Sequence, residues 1–321
     1  MEFPAVLRAA LEEQLTSQKQ AHLLQEAQAL SERYRNRTGT GRRLLTEDIQ
    51  AAAYAAVRMP ATFGAVYSAL EQTLACTSAR PVTLLDAGAG TGAASFAAAE
   101  VLPLNQVICL EREGAMSRLG QRLMLDAGSP VLQSTEWRSC DLTKQDISES
   151  AELVIASYVL GEMGPEERLR TAEKLWDAAG QILLLLEPGT PSGSFQLREI
   201  RDHLLRKGAR VAAPCPHEGA CPICGDDWCH FTCRVARSKL HRKLKAGDAP
   251  YEDEKFCYLS LVRESGTPAK ARVRRHPRIE PGKITLELCT PDGFCQKIIR
   301  KRDGPAFKRA RKSGCGDPWD E

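Results

Sequence analysis

The spacing of hydrophobic positions changes along the chain, and each spacing predicts a different kind of structure. Residues 4–80 carry apolar side chains at intervals of three and four and are rich in Ala, Leu, Glu and Gln, which predicts helices. From 81 to about 195, short apolar runs alternate with helical stretches, the βαβ pattern of a parallel, doubly wound sheet. Beyond 255, apolar and polar residues alternate around Pro-Gly and Asp-Gly turns, which predicts a small antiparallel unit.

These patterns divide the chain into four parts. A helical region (1–80) precedes a Rossmann-like domain (81–213), and a Cys-rich insert with a basic helix (214–245) precedes a small β unit with a basic tail (246–321). Pro60 lies within the helical region and is predicted to interrupt or begin a helix there, because proline cannot donate the helical hydrogen bond.

Composition and the first residues narrow the class of protein. The 321 residues are 43% apolar and 26% charged, an ordinary globular balance that can bury a core. The N-terminus has acids from its second residue and resembles neither a secretory signal nor an Arg-rich transit peptide, so we expect a cytoplasmic protein. No apolar run reaches the roughly 18 residues of a membrane span, and we expect no membrane partner and a monomer.

A glycine-rich turn is the first candidate site. The stretch "TLLDAGAGTGAASFAAA" leads from a predicted strand through three glycines into an Ala-rich helix. Glycine lets the backbone turn sharply and approach a ligand, while the helix N-terminus offers free N–H groups. The next two strands end in acids, one of which could accept ribose hydroxyls while the other faces an adenine amino group. The residues of this predicted nucleotide site are Gly88, Gly90, Gly92, Glu111 and Asp141.

The turn resembles that of class I S-adenosylmethionine methyltransferases, whose pattern E/D-x-G-x-G-x-G is matched from Asp86 to Gly92. The resemblance implies that the exit of the fourth strand, "ASYVLGEM", faces the methyl group, where Glu162 is either a site residue or a capping or solvated acid. The Asp/Asn-Pro-Pro-aromatic tetrad of adenine methyltransferases is absent, so catalysis stays open. The implied cofactor contacts are Asp86, Gly88, Gly90, Gly92, Glu111 and Asp141.

A cysteine-rich segment is the second candidate site. Cys215, Cys221, Cys224 and Cys229 fall within fifteen positions that show almost no apolar periodicity. In a chain without a recognisable secretory signal, twelve cysteines favour metal binding over a disulfide framework. Spacing alone leaves zinc and a [4Fe–4S] cluster open, and a neighbouring histidine could replace one sulfur in a zinc site.

Longer phrases carry a more specific resemblance. "CPHEGACP", "DWCHFTCRVARSKLHRKLK" and "YVLGEM" resemble the methyltransferase-like family associated with the mitochondrial ribosomal small subunit and its bacterial relatives, over roughly residues 50–318. The resemblance implies help in small-subunit maturation, contact with ribosomal RNA and an iron–sulfur cluster.

The cluster's ligands in that family are three cysteines of this segment and one from the later β unit. Carried over by position, they are Cys215, Cys221, Cys229 and Cys289. Cys224 is nearer in sequence, so the fourth ligand stays open between Cys289 and Cys224. The additional thiols of Cys233, Cys257 and Cys295 have no place in the pattern.

Three basic segments flank the cysteines. "RVARSKLHRKLK" is predicted to be a helix that presents Arg234, Arg237, His241 and Lys245 on one face, and "QKIIRKRDGPAFKRARKSG" carries eight Lys or Arg against one Asp. With "KARVRRHPR", they favour binding to phosphate backbones. No helix-turn-helix or zinc-finger helix accompanies the charge, so structured RNA is favoured over DNA. Two functions therefore stay open: an active methyltransferase of ribosomal RNA, and a non-catalytic assembly factor that binds RNA.

Overall fold

A computed structural model describes residues 3–16, 20–36, 45–244, 249–264 and 266–320. None of the helices in these ranges combines the length and apolarity needed to cross a membrane.

Three helices form the N-terminal region: α1 (Ala5–Thr16), α2 (Gln20–Asn36) and α3 (Asp48–Leu74). Pro60 lies inside α3, so the prediction that it interrupts or begins a helix is wrong. The helix is rich in alanine and buried along most of its length, and it packs against neighbouring helices and strands. This packing outweighs the roughly 3 kcal/mol that an interior proline costs a helix.

The central sheet has eight strands in the order β3-β2-β1-β4-β5-β8-β6, with β7 also paired to β8. Strands β1 to β5 are parallel, and β8 runs antiparallel to β5. The inner strands are nearly continuous apolar runs because helices cover both faces of the sheet. The predicted α/β class and class I methyltransferase fold are confirmed. The strands are β1 (Thr83–Ala87), β2 (Gln106–Leu110), β3 (Glu136–Arg138), β4 (Ala151–Ser157), β5 (Ala179–Pro188), β6 (Arg210–Ala213), β7 (Phe231–Ala236) and β8 (Tyr251–Val262).

Six α-helices and one short 3-10 helix connect these strands. The 3-10 helix (Leu160–Glu162) follows β4 and lies beside the carboxyl end of the sheet. The α-helices are α4 (Ala93–Val101), α5 (Gly114–Asp126), α6 (Pro130–Gln133), α7 (Pro165–Ala178), α8 (Pro191–Leu205) and α9 (Lys239–Leu244).

The Cys-rich loop joins two short strands that pair with the same long one. One half of β8 pairs with β6 and the other half with β7, so the chain leaves the sheet after Ala213 and returns at Phe231. The basic helix predicted over residues 234–245 is correct only in part: the chain is a strand as far as Ala236, a helix over Lys239–Leu244, and Lys245 lies outside the described residues. Buried Phe231, Cys233 and Val235 alternate with polar residues, the period of a strand.

Strand β8 also differs from the sequence prediction. We predicted that the segment beyond 255 belongs to the small β unit, yet β8 lies in the central sheet between β5 and the β6 and β7 strands. Its apolar run from Phe256 to Val262 is buried throughout, as in a strand covered on both faces.

A second, antiparallel sheet follows, as predicted for the C-terminal portion. Its order is β10-β11-β12, with β9 paired to β11, and α10 (Pro305–Lys312) packs against it. Leu286, Ile299 and Trp319 lie in its core. The strands are β9 (Arg272–Val273), β10 (Arg278–Glu280), β11 (Lys283–Thr290) and β12 (Gly293–Arg300).

Candidate functional sites

The glycine turn lies between β1 and α4, at the carboxyl end of the parallel strands. Gly88, Gly90 and Gly92 all have positive φ, of +71°, +59° and +82°. At Gly88 a Cβ atom would lie 2.7 Å from the Val159 side chain, and at Gly92 it would lie 2.5 Å from Met124 Cε. A side chain at either position would strain the backbone, and at Gly88 it would also overlap the Val159 side chain, whereas at Gly92 it would meet only the flexible end of Met124.

Asp86 connects the end of β1 to the first turn of α4. Its Oδ2 accepts hydrogen bonds from the Ser95 N–H at 3.1 Å and from the Ser95 hydroxyl at 2.7 Å. Burial raises the pKa of Asp86 to about 7, although the bonds from Ser95 oppose that shift. Asp86 and Gly92 are not among the described residues that line the adjacent cavity.

A cavity of about 90 Å³ opens beside the turn. The other four residues of the predicted nucleotide site all line it, and they come from three separate strand ends. Side chains from the N-terminal region and from the exit of β4 close its remaining sides; the sequence predicted the β4 exit at the site as a segment, whereas it did not assign Leu45, Tyr54 or Arg112. The predicted residues that line the cavity are Gly88, Gly90, Glu111 and Asp141, and the additional ones include Leu45, Tyr54, Arg112, Tyr158, Val159, Glu162 and Met163.

Glu111 is already engaged by the backbone. Its Oε2 accepts from the Gly90 N–H and its Oε1 from the Glu113 N–H, both at 2.7 Å. Burial raises its pKa, while these amide hydrogen bonds oppose the shift. Because a carboxylate has about four lone-pair sites, acceptor capacity is left for a hydroxyl of a ligand.

Asp141 and Glu162 give the cavity two differently tuned acids. Burial raises the pKa of Glu162 to about 7, opposed by Arg112, whose guanidinium lies 3.5 Å from the carboxylate. At Asp141, burial is outweighed by hydrogen bonds from the Thr143 hydroxyl (2.7 Å) and N–H (3.1 Å), which hold the pKa below its ordinary value. Asp141 is therefore an acceptor at neutral pH, whereas Glu162 can hold a proton.

Tyr158, at the exit of β4, has a φ of +59°, which is uncommon for a residue other than glycine. Its hydroxyl donates to Glu254 Oε1 at 3.2 Å, and the same oxygen lies 2.8 Å from the Arg58 guanidinium. Burial raises the pKa of Tyr158 well above its ordinary value. The Tyr158 hydroxyl thus stays protonated and donates its hydrogen bond to Glu254, so it does not act as a base.

The second cavity, of about 60 Å³, lies where the Cys-rich loop meets the second sheet. The four predicted ligands Cys215, Cys221, Cys229 and Cys289 all line it. Cys289 reaches it from β11, where it pairs with Arg272 and Phe294 of the neighbouring strands, which line the same cavity.

The additional thiols lie in different places. Cys257 of β8 also lines the cavity and donates its S–H to the Cys229 carbonyl at 2.9 Å. Cys224 and Cys295 are exposed and Cys233 is buried in β7, and none of these three is among the described lining residues. Between the two candidates for a fourth ligand, Cys289 is therefore the one at the cavity.

The thiols lie near enough to influence one another's ionisation. Burial raises the pKa of Cys229 well above its ordinary value, and Cys215, Cys221 and Cys289 add to the shift. Burial likewise raises the pKa of Cys289 to about 12. As they stand, the described His, Cys, Asp and Glu side chains form no group of three or more arranged to hold a metal ion.

Arginines give this cavity a positive surround. Arg201 and Arg272 are almost fully buried, and Arg274 stacks over the Phe294 ring at 3.6 Å. Arg272 also donates to the Pro214 and Gly316 carbonyls, both at 3.0 Å, and so ties the Cys-rich loop to the C-terminal segment. A metal centre with four thiolates carries net negative charge, which buried guanidinium groups stabilise. The residue types at this cavity, four thiols among buried guanidinium groups, are therefore those that such a centre requires.

The basic segments are not equally available for a partner. Arg234 pairs with Asp253 at 2.8 Å and stacks on Tyr251, and Arg237 pairs with Glu252 at 2.8 Å, so the predicted cationic helix face is wrong here. Four cations between residues 301 and 312 are exposed and form no salt bridge with the acids of the described chain. These tail cations are Lys301, Lys308, Arg311 and Lys312.

The sheet order and the glycine turn at its carboxyl edge define a class I methyltransferase fold. Residues 48–320 match the profile of the family described as mitochondrial small ribosomal subunit Rsm22, and the chain belongs to this family. The resemblance inferred from the sequence is confirmed.

Two relatives and one solved structure illustrate the similarity. The chain is 29% identical over 289 residues to the human "Ribosome assembly protein METTL17, mitochondrial", covering 82% of this chain and 61% of that protein. It is 25% identical over 332 residues to the "Rsm22-cox11 tandem protein 2, mitochondrial" of Schizosaccharomyces pombe, covering 84% and 43%. The chain thus spans less than two thirds of the length of these curated relatives.

Among solved structures, magnesium protoporphyrin IX methyltransferase from Synechocystis PCC 6803 with bound SAM matches 73% of this chain and 91% of its own. It has 15% identity and a TM-score of 0.43.

The expected cytoplasmic location is wrong. The family description and the names of both relatives are mitochondrial. The expectation rested on the first residues of the chain, whereas the match to the family rests on residues 48–320.

Proposed function

We propose that the chain is a methyltransferase-like protein that binds S-adenosylmethionine and acts on the mitochondrial small ribosomal subunit or its RNA. The observation that carries this proposal is the cavity beside the glycine turn, where Gly88, Gly90, Glu111 and Asp141 meet from three strand ends. Asp86 and Gly92 support the cofactor by fixing the turn beneath it. S-adenosylmethionine supplies a methyl group that is activated by the sulfonium. The protein that binds this cofactor needs chiefly to align the methyl group with an acceptor.

The roles within the cavity follow from the chemistry of each side chain. Glu111 would accept the ribose hydroxyls through its remaining lone pairs, and Asp141 would accept from the adenine amino group. The Gly90 N–H is held by Glu111 at 2.7 Å, which supports a turn that is shaped before the ligand arrives. Val159 and Met163 leave an apolar side toward the methyl group.

We further propose that Cys215, Cys221, Cys229 and Cys289 hold a [4Fe–4S] cluster, with zinc as the alternative. The convergence of these four thiols on one cavity, among buried arginines, supports the proposal. A bound metal would stabilise the thiolate forms that burial otherwise disfavours, and would tie the Cys-rich loop to the second sheet. Protein purified without oxygen should contain about four iron and four sulfide ions per chain. Stoichiometric zinc without iron would contradict the cluster and support the zinc site instead.

RNA of the small subunit is the partner that the charge distribution supports. The tail cations lie on α10 and the segment before it, free of acidic partners within the described ranges. Exposed, unpaired cations contribute to RNA affinity by releasing counterions from phosphates. The family description and the relatives' names support a mitochondrial setting for this interaction.

A second candidate is an assembly factor that retains the cofactor without transferring its methyl group. Tyr158 favours it, because this residue occupies the exit of β4 and its hydroxyl is committed to Glu254. One experiment separates the two functions. Small subunits isolated from cells that lack this protein are incubated with the purified chain and S-adenosylmethionine labelled on the methyl group. Label in the RNA that is lost with Gly90→Arg supports the enzyme, whereas binding to the particles without label supports the factor.

A further inference from the structure

Glu187 is a buried acid that neither cavity contains. It lies near the end of β5 with only 2% of its surface exposed. Across the pairing of β5 with β8 it stands opposite Cys257, which lines the cysteine cavity. Glu187 also lies against the 3-10 helix after β4 and near the start of α8.

On one side, Glu187 holds the 3-10 helix that borders the cofactor cavity. Its Oε1 accepts from the Gly161 N–H at 3.0 Å, and a Cβ atom at Gly161 would lie 2.6 Å from its other oxygen. Arg168 also holds this helix, by donating to the carbonyls of its first residue Leu160 (3.2 Å) and of Met163 just after it (2.9 Å). The position of the cavity wall formed by residues 159–163 therefore depends on where the Glu187 carboxyl lies.

On the other side, Glu187 stands opposite one of the two residues that fix the Cys229 peptide, and its Cβ lies near Gly193, the residue before the other. Cys257, opposite Glu187, donates to the Cys229 carbonyl at 2.9 Å. Ser194 accepts from the Cys229 N–H at 3.1 Å, and it follows Gly193, where a Cβ atom would lie 3.3 Å from the Glu187 Cβ. A shift of Cys229 on binding a metal would thus be transmitted to Glu187 through Cys257 on the paired strand.

We propose that Glu187 is a positioning residue that couples the two cavities, so that metal at the cysteines raises the affinity for S-adenosylmethionine and the cofactor in turn favours retention of the metal. The proposal rests on the proposed function for the identity of both ligands. It requires no change in the overall fold, because every link joins groups that are packed together. Such coupling is reciprocal, and typical values change affinity between 5- and 150-fold, as an order of magnitude.

The test compares dissociation constants for S-adenosylhomocysteine, measured by calorimetry, in protein as purified without oxygen and in protein stripped of metal with a chelator. We expect at least about fivefold tighter binding to the metal-loaded wild type. Glu187→Leu should bring this ratio close to one, because leucine cannot accept from the Gly161 N–H. Glu187→Gln should keep the ratio, since its amide oxygen can accept that bond.

Glu152→Leu is the matched control. Glu152 also accepts a backbone hydrogen bond, from the Val82 N–H at 2.6 Å, but it lies at the start of β4, far along the strand from both cavities. Its replacement should leave the ratio unchanged. Equal affinity for loaded and stripped wild type would overturn the proposal.

Hydrogen exchange at the Gly161 amide provides a readout without the cofactor. Exchange should be slower in loaded than in stripped protein for the wild type and Glu187→Gln, and equally fast in both forms of Glu187→Leu. If the stripped protein unfolds, exchange at the Gly161 amide is compared between metal-loaded Glu187→Leu and metal-loaded Glu187→Gln. Equal exchange rates in these two variants would overturn the coupling. If no form binds S-adenosylhomocysteine while exchange follows this pattern, the coupling stands and the proposed cofactor does not.

Discussion

Replacing Gly88 by alanine tests whether the turn is shaped by its contact with the β4 exit. Gly88 has a φ of +71°, and Gly128, after α5, has the same φ of +71° with nothing within 4 Å of an added Cβ. Both substitutions incur the roughly 1–2 kcal/mol that an L-residue loses in the left-handed region. Only Gly88→Ala also forces a Cβ to 2.7 Å from the Val159 side chain, an overpacking that costs about 1–3 kcal/mol.

The unfolding free energy from urea titration should therefore fall by about 1–3 kcal/mol more for Gly88→Ala than for Gly128→Ala. Affinity for S-adenosylhomocysteine should fall in Gly88→Ala alone, because relief of the clash displaces a wall of the cavity. Adding Val159→Ala to Gly88→Ala should recover part of the lost stability, since it removes the methyl groups that the new Cβ meets. Equal losses of unfolding free energy in Gly88→Ala and Gly128→Ala would refute the reasoning. It would also be refuted if adding Val159→Ala to Gly88→Ala recovered no stability.

The cysteine cavity, Glu187 and the basic tail each give a further prediction. Cys289→Ser should lose the metal measured by elemental analysis while Cys224→Ser keeps it, and the reverse result would make the local cysteine the fourth ligand. Burial raises the pKa of Glu187 to about 8 from an ordinary 4.5, so the folded state retains the proton that the unfolded state releases. The stability of the wild type relative to Glu187→Gln should then fall as pH rises from 4.5 to about 8 and level off above, as measured by denaturation at each pH; a flat difference would contradict this. Neutralising the tail cations should make the plot of log binding constant against log salt concentration less steep, by about 0.7 for each phosphate of the RNA that the tail no longer neutralises. Neutralising the ion-paired Arg118 and Arg138 should leave this slope unchanged. An unchanged slope for the tail variant would exclude the tail from RNA binding.

Local patterns were sufficient to predict the parallel strands and the glycine turn. The apolar run that ends at Ala87 and the glycines that follow it are adjacent in sequence, and their conformational preferences act locally. Strand β7 was missed because its alternation of Phe231, Cys233 and Val235 is short and lies among basic residues that suit a helix equally well. Its strand state depends on β8, whose pairing partners lie about twenty residues away.

Contacts between distant residues account for the rest. The pairing of Arg58 with Glu254 joins positions 196 residues apart, and no local pattern marks either one. The placement of Cys289 came from the family resemblance and not from its spacing. Sequence distance favours Cys224, and only the packing of the second sheet against the Cys-rich loop brings Cys289 to the cavity. Nonlocal pairing of this kind determines which predicted site residues actually meet.

Calorimetric titration of the purified chain with S-adenosylhomocysteine tests the central claim most directly. The account predicts saturable binding at one site per chain, abolished by Gly90→Arg and weakened when Glu111 is replaced by glutamine, which keeps the shape of the side chain but not its charge. The variants should keep the wild-type circular dichroism spectrum, so that lost binding reports on the cavity. Folded wild-type protein that releases or absorbs no heat with this ligand, and shows no shift in melting temperature, would contradict the account.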